Sequence, residues 1–287
     1  MAQSISLSNV SKPRTKNRWW AKLLRQIGFY IILLLTWEWL ARSGIWSPYL
    51  FVGPTAIWEA LVTGFQSPSS LFINFLVVTV QSPLFFTAIL TSVGRLAIGY
   101  FISVVLGIFL GLLIGLNRYA KETLGSLVLG FQALPSVCWI PLALLWFGLN
   151  ENAMAFVVVM GALFSIVVGV EAGVKNTPPV YLKAARNMGA SGFNLAMRVV
   201  LPAALPSIIT GLKQGWTFAW RSLMAAELIY ATTSLGGLLE MGRSNIDVPQ
   251  MFAVMAVIVV VGVLIDSLIF GPLERAVRVR WGFEQEV

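Results

Sequence analysis

Long apolar runs, with charged residues gathered at their ends, decide what this chain can become. Of its 287 residues, 57% are hydrophobic and 11% charged, and the mean hydropathy is +0.81. A water-soluble chain of this length has too few charged side chains to cover that much apolar surface. A membrane-spanning helix needs ~20 apolar residues. In hydrocarbon, backbone N–H and C=O groups must be satisfied inside the segment, so such runs are predicted to be helices. A membrane barrel would instead show short segments of alternating polarity. The expected fold is an all-α integral membrane protein with about six transmembrane helices.

The runs cover 27–40, 91–116, 124–147, 153–170, 204–230 and 252–270. The first follows the bases Lys12, Arg14, Lys16, Arg18, Lys22 and Arg25. It contains Glu38 and has no clean small-x-small cleavage site, which favours an uncleaved helix over a signal peptide. The run 71–80 is too short to span. It sits in a stretch, 48–83, expected to be an external loop with a surface-lying helix, and Trp46 and Tyr49 suit the interface there.

The chain then divides into a basic segment 1–26, a transmembrane domain 27–270 with a long inside loop at about 171–203, and a tail 271–287. Placing the amino terminus in the cytoplasm puts Arg118, Lys121, Lys175, Lys183, Arg186, Arg198, Arg275, Arg278 and Arg280 inside as well. Only Arg42 and Arg243 fall clearly outside, which is the positive-inside pattern. The net charge of +8 therefore reports topology rather than nucleic-acid binding. The chain has no histidine, and its single cysteine, Cys138, excludes an intrachain disulfide.

The second run carries Gly99, Ser103, Gly107, Gly111 and Gly115, a small residue every four positions. Such a stripe lets helix backbones approach closely in lipid. Pro135 and Pro141 interrupt the third run and are expected to kink it. In the inside loop, Asn176 or Thr177 is placed to cap a helix starting at Pro178, and Gly189 to end it in a left-handed turn. A second short helix is expected over 191–200, ended by Pro202, and the two would form a projecting knob. From the residues alone, a docking knob and an ordinary surface loop both fit.

That loop resembles the "EAA" loop of bacterial ABC importer permeases: Glu-Ala-Ala, three residues, Gly, nine residues, an aliphatic, one residue, Leu-Pro. Here Ala184, Ala185, Gly189, Val199, Leu201 and Pro202 fall at the family spacing, and Lys183 stands where the family usually has Glu. The segment 135–150 is similar to the branch importing aliphatic sulfonates, taurine, nitrate and bicarbonate. The segments 215–221 and 270–275 are similar to its sulfonate members. The stretch 67–84 is longer than usual for the family.

The resemblance implies a type I importer permease in a bacterial inner membrane, multi-pass, with both termini cytoplasmic. It implies a second permease subunit (a homodimer), two cytoplasmic ATPases, a periplasmic or lipid-anchored binding protein, and a coupling role for the 183–202 loop. No cofactor is expected on this chain. It has no Gly-x4-Gly-Lys-[Ser/Thr] phosphate loop, so ATP and Mg belong to the partner ATPase.

The translocation pathway draws attention to intramembrane charge, which costs about 2.5–3.5 kcal/mol on insertion scales and often marks a cavity. Arg221 and Glu227 lie in the fifth run and Asp266 in the sixth. Six residues is about 240° around a helix, so Arg221 and Glu227 do not face each other. Arg221 is a candidate to attract an anion, with Trp216 and Trp220 as walls. Alternatively, it sits at the outer interface or pairs with Glu227 or Asp266. Asp266, near the inner end, reads as structural. An ion-coupled secondary carrier is the alternative class, although no convincing repeat is visible and such a carrier would have no need of the inside knob. Sulfonate, taurine, nitrate, bicarbonate and a neutral precursor all remain open as substrate.

Overall fold

The computed structural model describes residues 16–47, 50–73, 78–230 and 232–280. Lys12, Arg14, Tyr49, positions 74–77 of the run 71–80 and the end of the tail lie outside the described residues. The contacts divide the chain into two units, 1–58 and 59–287.

In the first unit, helix α1 (Lys16–Arg42) carries the first apolar run. Its Ile32, Leu35 and Trp39 are exposed, a surface suited to lipid. Near its end, Glu38 accepts hydrogen bonds from Thr55 Oγ1 at 2.8 Å and from the Thr55 N–H at 3.2 Å. Thr55 opens helix α2 (Pro54–Gln66), so a carboxylate satisfies a donor that the first turn leaves unpaired.

The second unit begins with an unexpected element. Strands β1 (Pro68–Ile73) and β2 (Val78–Pro83) pair antiparallel, with Pro68 opposite Pro83 and Ile73 opposite Val78. Among the described residues of 48–83 the helix is thus confined to α2, and the described part of 71–80 is extended. Ile73, Val78, Thr79 and Val80 are β-branched residues that suit a pleated ribbon. Pro83 ends the ribbon and stands at the N-cap of α3 (Leu84–Leu116), which starts at Leu84 rather than near Thr91.

Helix α6 (Glu151–Lys175) is the core of this unit and packs against both α3 and α8 (Gly192–Glu227). Its apolar window is 61% buried, against 28% for α3 and 22% for the last helix, α10 (Val248–Arg280). The small-residue stripe of α3 makes the first contact. A Cβ placed on Gly107 would fall 2.7 Å from Ile166 Cγ2, one on Gly111 2.5 Å from Val170 Cβ, and one on Gly115 2.8 Å from Val174 Cβ. Branched side chains of α6 therefore occupy the space that side chains on α3 would need. Across the other contact, a Cβ on Gly211 would fall 2.8 Å from Gly169 Cα, so α6 and α8 meet backbone to backbone.

The third run is not one kinked span. Helix α4 (Arg118–Ala133) and helix α5 (Ser136–Phe147) meet at 101°. Pro135 disfavours helical geometry in the residue before it. Leu134 is accordingly extended, at φ −74°, ψ 124°, and Pro135 itself sits at φ −57°, ψ 134°. Pro141 lies in the first α-helical turn beyond, where its missing N–H breaks no ladder bond, so it adds no kink. Five helices are long and apolar enough to span, or six with the bent pair counted as one.

Replacing Gly111 by Leu is expected to overpack the α3–α6 seam and cost about 1–3 kcal/mol. A Cβ on Gly94 meets nothing within 4 Å, so Gly94→Leu should stay within about 0.5 kcal/mol of the parent. Thermal unfolding of the solubilised protein, followed by intrinsic fluorescence, compares the two.

Candidate translocation site

Two regions combine exposed or unpaired groups with a defined frame: a knob at one end of the α6–α8 pair, and a cavity at the α4–α5 bend.

Helix α7 (Pro179–Asn187) opens the knob after Pro178. Neither Asn176 nor Thr177 caps it by a side-chain bond. Thr177 is buried and donates its hydroxyl back to the Gly173 carbonyl at 3.2 Å. Gly189, at φ +84°, turns the chain out of the helix, and the Ala190 N–H returns to the Ala185 carbonyl at 2.9 Å. Ala185 seats the helix in a small core with Val174, Leu195 and Val200. Lys183, Ala184 and Gly189 are exposed, and Lys183 makes no ion pair among the described residues.

The second knob helix does not stop at Pro202. It is the start of α8, which runs through a π turn at Ala196–Val200 and carries Leu201, Pro202 and Pro206 inside one continuous helix. The wider π turn accommodates the donor that Pro202 lacks. Reading the loop from the sequence alone overlooked what the knob displays. Val180, Tyr181, Met188 and Phe193 are all large, apolar and exposed, Met188 at 87%. Their clustering on a basic loop was visible as composition but carried no spacing signal.

The cavity has a volume of about 420 Å³ and is framed by the bend, by Phe164 and Ser165 of α6, and by Phe218 and Arg221 of α8. Arg221 makes no ion pair or hydrogen bond among the described residues, so neither Glu227 nor Asp266 is its partner. Trp216 and Trp220 do not line this cavity. Trp216 packs edge-on to Tyr100 at 5.3 Å and against Phe270 at 5.9 Å. The buried Trp220 indole lies against Gly262. At about 100° per residue, Trp220 and Trp216 diverge from Arg221, whereas Phe218, three residues before it, shares its face. That i, i+3 relation was the available signal for Phe218.

Glu227 belongs to a separate, closed network. Its side chain is 0% exposed and both oxygens lie within 2.9 Å of Ser92 Oγ. It also accepts from the Gly236 N–H at 3.0 Å and from Arg95 Nη1 at 3.2 Å. Arg95 spends its other face on a bidentate pair with Glu151, at 2.6 Å for each bond. The Leu235 N–H donates to Ser92 Oγ at 3.0 Å, so the start of α9 (Leu235–Ser244) is tied to α3 and α8. Asp266 is paired too, with Lys213 at 3.3 Å.

A helical membrane subunit with a cavity at a broken span and an apolar-tipped knob is built as a transport permease. Residues 103–279 match the family described as "Binding-protein-dependent transport system inner membrane component", and the chain belongs to that family. It is similar to the taurine transport system permease protein TauC of Escherichia coli, with 30% identity over 88% of this chain and 89% of that one. It is also similar to the putative aliphatic sulfonates transport permease protein SsuC of the same organism, with 31% identity over 85% and 94%. Among solved structures, the inward-facing methionine ABC transporter MetNI superposes with a TM-score of 0.61 over 68% of this chain and 96% of that one. At 22% identity, that likeness shows the shared fold. The protein is thus the permease component of an ABC importer, a multi-pass inner-membrane protein whose family works with ATPase and substrate-binding partners. The ion-coupled carrier falls away.

Removing Arg95 would leave Glu227 charged and buried. Arg95→Gln should destabilise the protein by about 3–5 kcal/mol, and Arg95→Gln with Glu227→Gln together by clearly less. Melting temperatures of the solubilised single and double variants test the coupling.

Proposed function

We propose that this chain forms the membrane pathway for a small anion and couples it to a cytoplasmic ATPase. The unpaired guanidinium of Arg221 in the cavity at the bend carries this reading. A cation kept in a membrane helix without a partner among the described residues favours an anion as its visiting counter-charge. The names of the taurine and aliphatic sulfonate relatives support a sulfonate-type anion over a neutral precursor.

In this reading the knob built on Lys183, Ala184, Ala185 and Gly189 docks an ATPase. Val180, Tyr181, Met188 and Phe193 supply the apolar contact, and Leu201 and Pro202 lead the motion into α8. The charge distribution supports both termini, 1–26 and 271–287, in the cytoplasm. Two copies of the chain act with two ATPases that bind ATP and Mg, and with an external binding protein. The ATPases supply the differential interaction that shifts the inward–outward equilibrium.

The test is uptake by the complex reconstituted with its ATPase and binding protein, against sulfonates, nitrate, bicarbonate and neutral analogues. Arg221→Gln is expected to cut anion uptake about tenfold or more, as loss of a charged hydrogen bond would. Unchanged uptake and Michaelis constant would remove Arg221 from the pathway, and best uptake of a neutral analogue would select the neutral reading. Met188→Asp with Phe193→Asp should abolish co-purification of the ATPase. Retention of the ATPase would place the docking surface elsewhere.

A further inference from the structure

We propose that the cavity is a selective site for an organic oxyanion with a short apolar body, and so a second sieve in the membrane besides the binding protein. This rests on reading the Arg221 cavity as part of the pathway.

The head of such a ligand has two waiting donors. Arg221 offers a planar fork that matches an oxyanion bidentately. Ser165 is 2% exposed, lines the cavity, and its hydroxyl has no hydrogen-bond partner. That is unusual within this fold. Ser103, Thr210, Thr217 and Ser222 each return the hydroxyl to the carbonyl four residues back, at 2.7–3.2 Å. Ser165 has the same option at Gly161 and does not take it. A buried hydroxyl left unsatisfied costs about 1–3 kcal/mol, which a bound oxyanion would relieve. Gln132 adds an amide at the bend. No carboxylate lines the cavity, so nothing there repels an anion.

The remaining wall is aromatic. Phe131 and Phe164 lie with ring centroids 5.4 Å apart, and Phe218 stands on the Arg221 face of α8. A volume of 420 Å³ has room for on the order of a dozen waters at about 30 Å³ each, more than one anionic head fills. A bare inorganic anion would leave these rings wet. A short alkyl or aminoalkyl body would cover them and add favourable apolar burial.

Binding to the solubilised permease–ATPase complex, without binding protein, tests this directly. The probes are propane-1-sulfonate, sulfate, nitrate and the neutral propane-1-sulfonamide, read by tryptophan fluorescence. Propane-1-sulfonate should bind at least about tenfold more tightly than sulfate, nitrate or the sulfonamide, a difference of about 1.4 kcal/mol. Ser165→Val should weaken it severalfold, and Ser165→Thr, of the same shape with a hydroxyl, should restore it. Phe218→Ala should erase the preference for propane-1-sulfonate over sulfate. Each variant is scored only as ATPase-bound complex, and if Ser165→Val fails to assemble, Phe218→Ala and the parent's ligand ranking still decide. Equal binding of sulfate and propane-1-sulfonate, or equal affinity of the Val and Thr variants, would overturn the proposal. The pathway reading fails separately, if Arg221→Gln leaves anion uptake intact.

Discussion

Hydrocarbon offers no water to a polar group, and the second unit is organised around that deprivation. The buried or half-buried charges Arg95, Glu227, Lys213 and Asp266 of its long helices each have a partner. Glu227 is enclosed by Ser92, Arg95 and a backbone N–H, and Lys213 stands between Asp266 and Glu274, at 3.3 and 3.7 Å. Desolvation makes any exception expensive. Ser165, buried without a hydrogen-bond partner, is such an exception, and it borders the same cavity as Arg221, which is exposed and makes no ion pair. Their coincidence is what distinguishes a site from a packing fault.

The frame around that cavity is rigid for a different reason. Between α3, α6 and α8 the packing is set by backbones, with glycines facing branched side chains or each other. Lipid supplies little hydrophobic drive between helices, so close van der Waals contact does the holding. The bend at Leu134–Pro135 has no such partner ladder. It is fixed by local sterics, and Leu134 and Pro135 line the cavity, the kind of place where irregular geometry is tolerated at membrane depth.

Span positions, the glycine stripe and the turn at Gly189 were legible because each is a local rule: length, a period near four, and a residue free to take φ > 0. The paired strands were not, because 71–80 reads as a short apolar run and only the pairing of β1 with β2 decides the conformation of its described part. The 101° break was half legible, since Pro135 announced a disruption but not its size. Among the candidate pathway residues, intramembrane charge singled out Arg221, which lines the cavity, while nearness in sequence brought in residues that do not. Trp220 and Trp216 are close along the chain and point elsewhere, whereas Ser165 and Phe131 reach the site from other helices and leave no trace in local spacing. Pro202 looked like a terminator, and a π turn carries the helix through it.

That continuity gives α8 the properties of a beam. One unbroken helix joins Phe193 on the knob to Arg221 at the cavity, 28 residues apart, or about 42 Å at 1.5 Å per residue. A tilt of about 10° at one end of such a beam, moving as one body, displaces the other by roughly 7 Å, and the π turn at Ala196–Val200 and Pro206 are the places where it would bend instead. A helix moving in that way would need no relay of side-chain contacts to turn a small rotation at one end into a displacement of several ångströms at the other.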